Sequence, residues 1–266
     1  MRYVVHQPSA ALAPFVQSMW LFEAELAHAR ERVLPNGRMQ LLVNLDEDEL
    51  RAWRGDGLDR LQTVSGAALT SVSDEPFAID TAEQRRIVGA TFHPGGAAAF
   101  FDVPMTELGG RDVALGDLWG RSGAILRDRM LEARDDQACL AVLERALVGR
   151  LHRHRDRQMD LAIVALERGR PVGEVARTLE LSPRRLIRRF SARVGLAPKR
   201  FARLRRFHRV LQDIAGARRV DWADVATAAG YYDQAHLIRD FRAFSGLKPS
   251  DYEPRNARDE THLVLD

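Results

Sequence analysis

A cluster of arginines is the feature of this sequence best suited to binding chemistry. The cluster consists of Arg184, Arg185, Arg188, Arg189 and Arg193. Apolar residues at helical spacing interrupt it, namely Leu186, Phe190 and Val194. This spacing predicts a helix that buries one face and exposes the arginines on the other. A guanidinium presents a planar fork of donors that matches phosphate oxygens and the acceptor edge of guanine. The cluster therefore indicates a helix that binds a polyanion, although a solvated helix face is the commoner fate of such a row.

A second stretch of similar form lies further along the chain. Its polar residues are Gln234, His236, Arg239 and Arg242, and its apolar stripe is Leu237, Phe241 and Phe244. Ala235 and Ile238, like Ile187 in the first stretch, offer only apolar contact, for instance to a thymine methyl group. We therefore expect the second stretch to donate fewer hydrogen bonds than the first.

Short helices and tight turns are predicted to position both stretches. The helices are expected over 159–168, 172–179, 183–194, 198–214 and 234–245, with another short one beginning at Trp222. Ser182 and Asp233 are the predicted N-caps of the two arginine-bearing helices, and Pro183 fits the first helical position. A short helix, a tight turn and a second helix with a basic outer face form the helix-turn-helix pattern. The pattern occurs twice, and the helix over 198–214 joins the two units.

The charge distribution supports a polyanion partner for this part of the chain. The 266 residues carry a net charge of +3, but residues 1–150 carry −6 and residues 151–255 carry +11. Such an asymmetry is typical of a nucleic-acid-binding half. It also suggests a hypothesis in which the acidic half docks on the basic half and masks it.

Residues 158–254 resemble the DNA-binding domain of AraC/XylS-type bacterial transcription regulators. The most diagnostic residues run from Gly230 to Phe241 and from Gly246 to Tyr252. The resemblance implies base-facing positions at Arg184, Ile187, Arg188, Gln234, Ala235, Ile238 and Arg239, flanked by Arg185 and Arg189. His236 and Arg242 join the DNA-binding candidates because they lie off the apolar stripe. Arg188 and Arg239 are the best candidates for bidentate contacts to guanine. The residues leave activation and repression equally open.

The N-terminal half is predicted to be β-rich, so the fold class is α+β. Strands are expected within 15–26, 38–45, 62–69 and 86–92, in a compact sheet or barrel-like domain. Helices at 97–101 and 122–150 extend this domain to residue 150, and 152–157 are the predicted linker. Leu34-Pro35-Asn36-Gly37 and Phe92-His93-Pro94-Gly95-Gly96-Ala97 resemble the β-rich N-terminal domain of one branch of the same family. That resemblance implies small-molecule sensing or dimerisation.

A ligand pocket in this half has several candidate residues. Trp20, Phe22, Trp53 and Phe92 are candidate apolar walls, whereas Arg38, Gln40 and His93 are candidate polar contacts. Core packing is the alternative for each aromatic residue, and solvent exposure is the alternative for each polar one. Cys139 lies on an apolar helix face and is expected to be a buried small hydrophobe.

Several function classes are not expected. The sequence has no nucleophile elbow, phosphate-binding loop or metal-site spacing, so we expect no enzyme, no cofactor and no metal. It has neither a bilayer-spanning apolar run nor a secretory signal, and its one cysteine fits a reducing compartment. We therefore expect a cytoplasmic protein that does not enter a membrane.

The expected partners are double-stranded DNA, a small-molecule effector and, for an activator, RNA polymerase. Helices within 122–150 are a candidate homodimer interface or, equally, a cap on the sheet within one chain, through Leu126, Met130, Leu140, Leu143 and Leu147. Two alternatives remain. In the first, the N-terminal half is a dimerisation or protein-partner module that binds no ligand. In the second, it is a catalytic domain that the basic half directs to DNA.

Overall fold

The N-terminal half consists mainly of antiparallel strands. The computed structural model describes residues 1–152, 155–215, 220–256 and 259–265. The strands of this half are β1 (Arg2–His6), β2 (Val16–Glu23), β3 (Arg30–Val33), β4 (Gln40–Asn44), β5 (Glu49–Arg54), β6 (Arg60–Ser65), β7 (Ala67–Thr70), β8 (Phe77–Asp80), β9 (Arg86–Phe92) and β10 (Val113–Ala114). One sheet has the order β1-β2-β9-β4-β7-β10. The other contains β3, β8, β5 and β6, in that order. This confirms a β-rich domain, built as two sheets rather than as one closed barrel.

The register of the larger sheet separates two faces. Met19 and Leu41 both pair with Ala90, and Leu21 and Val43 both pair with Val88. These residues are buried in the main core, beneath the helices. Trp20 and Leu42 alternate with them and both pair with Gly89 on the opposite face. On that face a smaller cluster of Leu50, Ala68 and Ile87 joins the two sheets.

The helical extension is more broken than the sequence predicts. It contains 3-10 turns at Ala97–Ala99 and Met105–Leu108, followed by α1 (Leu115–Trp119), α2 (Arg121–Ala124), α3 (Leu126–Leu131) and α4 (Asp136–Arg150). The predicted helix at 97–101 is therefore a single 3-10 turn, and Ile125 interrupts the helix expected from residue 122. Helix α2 lies so close to α1 that a Cβ at Gly123 would overlap the Leu115 carbonyl.

The C-terminal half contains the predicted succession of helices. They are α5 (Arg157–Glu167), α6 (Val172–Thr178), α7 (Pro183–Val194), α8 (Pro198–Ile214), α9 (Trp222–Ala228) and α10 (Gln234–Ser245). Ser182 Oγ accepts from the Arg185 N–H, and Asp233 Oδ1 accepts from the His236 N–H. Gly195 and Gly246 end α7 and α10 with left-handed backbone angles. Two helix-turn-helix units joined by a long helix are thus confirmed, and with them the α+β fold class.

The predicted linker at 152–157 is only partly described, because Arg153 and His154 lie outside the described residues. Before the gap, the His152 N–H donates to the Ala99 carbonyl at 3.2 Å. After it, Asp156 caps α5 by accepting from the Met159 N–H at 3.2 Å. Among the described residues, no helix is long and apolar enough to cross a bilayer.

A strand after the second helix-turn-helix unit was not predicted. Residues His262–Leu265 form β11, which pairs antiparallel with β3 and adds an edge to the smaller sheet. The buried Glu31 carboxylate accepts hydrogen bonds from Arg255 Nη1 at 2.7 Å, His262 Nδ1 at 2.7 Å and His28 Nε2 at 2.6 Å. Burial alone would raise the pKa of Glu31, but the two histidines and the Arg255 charge lower it to about 2. The segment after α10 therefore returns to the N-terminal domain.

Candidate DNA interface

The first candidate reading helix, α7, exposes most of its arginines. Leu186, Phe190 and Val194 are buried, and the Phe190 ring meets Phe201 of α8 edge to face at 5.4 Å. This packing turns the opposite face outwards and leaves Arg184, Arg185, Ile187 and Arg188 exposed. Ile187 is 45% exposed.

Arg189 and Arg193 face away from this surface. Arg189 Nη2 lies 2.8 Å from Asp156 Oδ2, and its Nη1 contacts Gln158. Partial burial would raise the pKa of Asp156, but the hydrogen bonds from Arg189 and the Met159 N–H lower it. Arg193 lies 3.7 Å from Asp160 Oδ1. These two arginines tie α7 to α5. Arg189 is therefore less free than Arg188, and its DNA-binding role stays a prediction.

The second candidate reading helix, α10, exposes fewer arginines than α7. Gln234, Ala235, Arg239 and Arg242 are exposed, whereas His236 and Ile238 are half-buried. The His236 ring meets Tyr231 edge to face at 5.0 Å, and its Nε2 lies 4.0 Å from Asp240 Oδ2. His236 therefore packs against the turn. Of the six candidate residues on α10, only Gln234, Ala235, Arg239 and Arg242 are fully exposed to solvent.

An ion pair with a buried carboxylate, which the sequence did not predict, holds α10 against α8. Asp240 is 2% exposed, and Arg203 Nη2 donates to its Oδ1 at 2.7 Å. The same guanidinium lies 5.4 Å from the Phe244 ring. The only available signal was an acidic residue within an otherwise apolar stripe, next to Phe241. The pair fixes the rotation of α10 and hence the direction of Arg239.

The N-terminal domain docks on the side of the helix-turn-helix units that is remote from their exposed faces. Gly195, at the end of α7, has φ +87°, and a Cβ there would lie 2.5 Å from Val72. A Cβ at Gly37 would lie 3.3 Å from Leu204, and a Cβ at Gly95 would lie 3.1 Å from Arg193. Both sequence motifs that resembled the family's N-terminal domain therefore end in turns that contact the DNA-binding half.

Several charged or polar side chains are partly or fully buried at this contact, among them Arg38, Arg205 and His208. Burial, together with the charges of Arg205 and Arg38, lowers the pKa of His208 to about 3, so its imidazole is neutral. Burial and the Arg205 charge likewise lower the pKa of Arg38. Arg205 Nε lies 3.2 Å from Glu167 Oε1, which offsets part of this positive charge.

The structure brings only part of the candidate ligand set together. Trp20 Nε1 and Gln40 Nε2 both donate to Thr91 Oγ1, at 3.1 and 3.2 Å. The Trp20 indole lies flat over Gly89, where any Cβ would overlap the ring. These residues form a half-buried patch on the sheet face that looks toward the smaller sheet.

The remaining candidates lie apart from this patch. Phe22 is half-buried nearby on β2, whereas Trp53 lies on the other sheet beneath the Arg30 guanidinium, 4.2 Å away. Phe92 is fully buried against Phe100 in the core. His93 is exposed, and Arg38 lies at the contact between domains. Within the described ranges, no three metal-ligating side chains lie close enough together to hold a metal ion.

Comparison with known families agrees with this arrangement. Residues 175–255 match a family model described as "Helix-turn-helix domain", and residues 4–114 match one described as "Domain of unknown function (DUF6597)". No curated protein matches the sequence. The first match confirms the resemblance to AraC/XylS-type regulators in the C-terminal half. The chain thus carries the DNA-binding domain of a transcription regulator.

Two solved structures of ToxT from Vibrio cholerae are similar to the chain. A structure of ToxT at 1.65 Å resolution has 10% identity and a TM-score of 0.45, covering 88% of this chain and 96% of ToxT. A structure of wild-type ToxT with a bound unsaturated fatty acid has 10% identity and a TM-score of 0.45. It covers 95% of this chain and 96% of that one.

Proposed function

We propose that the chain is a sequence-specific DNA-binding regulator in the cytoplasm. Residues 158–254 read the DNA, and residues 1–150 regulate that reading in response to a small molecule. The observation that carries the proposal is the exposure of equivalent faces of α7 and α10 while the N-terminal domain is docked. Arg188 and Arg239 contact guanine, and Arg184, Arg185 and Arg242 contact phosphates or base edges beside them. Gln234 donates to a base edge, while Ile187 and Ala235 make apolar contacts.

The test of base reading is Arg188→Ala. The binding partner is a duplex that the wild-type chain selects from a random-sequence pool, compared with the unselected pool. We expect the variant to lose about 1–3 kcal/mol on the selected duplex and much less on the pool. Arg121→Ala is the matched control, because Arg121 is an exposed helical arginine in the N-terminal domain. Equal losses on both DNAs would make Arg188 a phosphate contact instead.

The effector proposal rests on the patch of Trp20, Gln40 and Thr91. A flat indole beside two hydrogen-bonding groups, half-buried between two sheets, suits a small molecule with an apolar face and a polar edge. A thermal-shift screen of metabolites, repeated on Trp20→Ala, tests it. We expect a stabilising compound whose effect the substitution abolishes. If the chain forms an oligomer in solution but binds none of the metabolites, the N-terminal half is instead a dimerisation or protein-partner module that binds no ligand.

The homodimer proposal rests on the outer surface of α3 and α4. Leu131 and Val148 are each 45% exposed there, beside an open groove lined by Trp119, Leu126 and Ala138. Light scattering of the wild-type chain and of Val148→Asp tests this, and we expect a dimer that the substitution weakens. Contact with RNA polymerase follows only if the regulator is an activator.

A further inference from the structure

The two helix-turn-helix units differ by one residue, and that residue lies in the turn. Helices α6 and α9 begin at Val172 and Trp222, 50 residues apart. Helices α7 and α10 begin at Pro183 and Gln234, 51 residues apart. The paired helices have equal lengths, 7 residues for the first pair and 12 for the second. The extra residue of the second unit therefore lies between α9 and α10.

Equivalent contacts identify the extra residue as Tyr232. Glu180 and Gly230 both have left-handed backbone angles, at φ +53° and +79°. The next residue is buried in each unit, and its N–H donates across the turn. The Leu181 N–H donates to Ala176 at 2.9 Å, and the Tyr231 N–H donates to Ala226 at 2.8 Å. The N-caps Ser182 and Asp233 then correspond, which leaves Tyr232 without a counterpart.

Tyr232 has no place in the packing of the unit. Tyr231 already occupies the buried position, between the His236 ring and the Arg206 guanidinium at 5.0 Å each. Tyr232 is consequently 93% exposed, more than any other large apolar or aromatic side chain of the described residues. It immediately precedes the N-cap of α10, at the end of the helix that carries Gln234 and Ala235. A helix-turn-helix unit presents this end of its second helix to DNA.

We propose that Tyr232 contacts the DNA backbone beside the second reading helix, with its phenol donating a hydrogen bond to a phosphate oxygen. This inference rests on the proposed DNA-binding function. Tyrosine is one of the side chains that commonly bind phosphate, and its ring loses little conformational entropy when it docks. The contact orients a helix that exposes fewer arginines than α7 does, since Ala235 is apolar and Ile238 is half-buried. Because the phenol is uncharged, it adds affinity without releasing counterions.

The test compares the full-length wild type with Tyr232→Phe and Tyr232→Ala. The probes are the selected duplex and the random-sequence pool, titrated over a range of salt concentrations. We expect Tyr232→Phe to weaken binding about tenfold on both DNAs, because a hydrogen bond to a charged group is lost. The salt dependence should keep the wild-type slope, whereas Arg242→Ala, which removes a charged phosphate contact, should make it shallower. Tyr3→Phe, another exposed tyrosine in the N-terminal domain, is the control and should bind as the wild type does.

Phosphate ethylation interference gives a second readout. Ethylation of one phosphate, in the part of the DNA site that the second helix-turn-helix unit binds, should weaken binding by the wild type but not by Tyr232→Phe. Unchanged binding by Tyr232→Phe would overturn the proposal, and so would a loss seen only in Tyr232→Ala, which would indicate ring packing alone. Failure of the wild type to bind any duplex would instead refute the proposed function. Misfolding does not confound the test, because Tyr232 is nearly fully exposed and the thermal unfolding of both variants should match that of the wild type.

Discussion

Adjacent arginines on one helix have different surroundings in the folded chain. Arg188 and Arg189 are indistinguishable by residue type, yet Arg188 is exposed and Arg189 is held by Asp156. The sequence predicted the row of arginines but not this division, because Asp156 lies on another helix. His236 shows the same limit, since its contact with Tyr231 depends on how the turn folds.

One buried carboxylate makes stability depend on pH near neutrality. The Glu83 side chain is fully buried at the end of the smaller sheet, and its Oε1 accepts from the Arg51 N–H at 2.8 Å. Burial raises the pKa of Glu83 from 4.5 to about 7. The folded state then binds a proton that the unfolded state has lost. Its contribution to stability is therefore complete below pH 4.5 and disappears as the pH rises through about 7.

We predict that Glu83→Gln removes this dependence. Chemical denaturation at several pH values should show the free energy of unfolding of the wild type falling, relative to that of the variant, between pH 4.5 and about 7. His208, whose pKa is lowered in the folded state, makes the free energy of unfolding rise with pH in acid. This effect is the same in the wild type and the variant, so their difference reports on Glu83 alone. A constant difference between wild type and variant over this range would show that Glu83 is ionised in the folded protein.

At the scale of elements, local signals predicted the helices well and the strands poorly. The bounds of α7 and α8 match the prediction residue for residue, because proline starts each helix and glycine follows α7. Strand β9 was equally clear, because it is buried on both faces. Strands β3 and β11 were missed because they are short and because β11 pairs with β3 across more than half of the chain. The gathering of Trp20 and Gln40 around Thr91 was invisible for the same reason.

The β3–β11 pair should contribute much of the attachment between the two halves. We predict that Glu31→Ala lowers the free energy of unfolding by about 3 kcal/mol, because it leaves Arg255 without its buried partner. Truncation before Asp259 should also destabilise the chain and expose the edge of β3 to association. Thermal unfolding and size-exclusion chromatography measure the two effects. Glu25→Ala, in an exposed loop, is the control, and wild-type behaviour of Glu31→Ala would show that the cluster is dispensable.

At the scale of the whole molecule, the small net charge conceals two opposed halves that share one core. The acidic half docks on the basic half, yet Arg184, Arg188 and Arg239 remain exposed. The hypothesis that the acidic half masks the reading faces therefore finds no support in this arrangement. Ion pairs such as Arg200 with Asp74 lie at the contact between the domains, away from the exposed faces.

Substitutions at two glycines can distinguish the effect of domain docking on stability from the effect of backbone strain. Gly195 and Gly230 have similar left-handed angles, at φ +87° and +79°. A Cβ at Gly195 would meet Val72 of the N-terminal domain at 2.5 Å, whereas a Cβ at Gly230 would meet nothing within 4 Å. We predict that Gly195→Ala lowers the melting temperature more than Gly230→Ala, since both carry a strain of about 1 kcal/mol and only the first disturbs docking. Equal shifts would show that the domains do not pack tightly here.

The central claim is that both helix-turn-helix units read DNA together while the N-terminal domain stays docked. Hydroxyl-radical footprinting of the full-length chain on its selected duplex tests this most directly. The account predicts two separate protected segments, one lost in Arg188→Ala and the other in Arg239→Ala. A single protected segment that one of these variants leaves intact would contradict it.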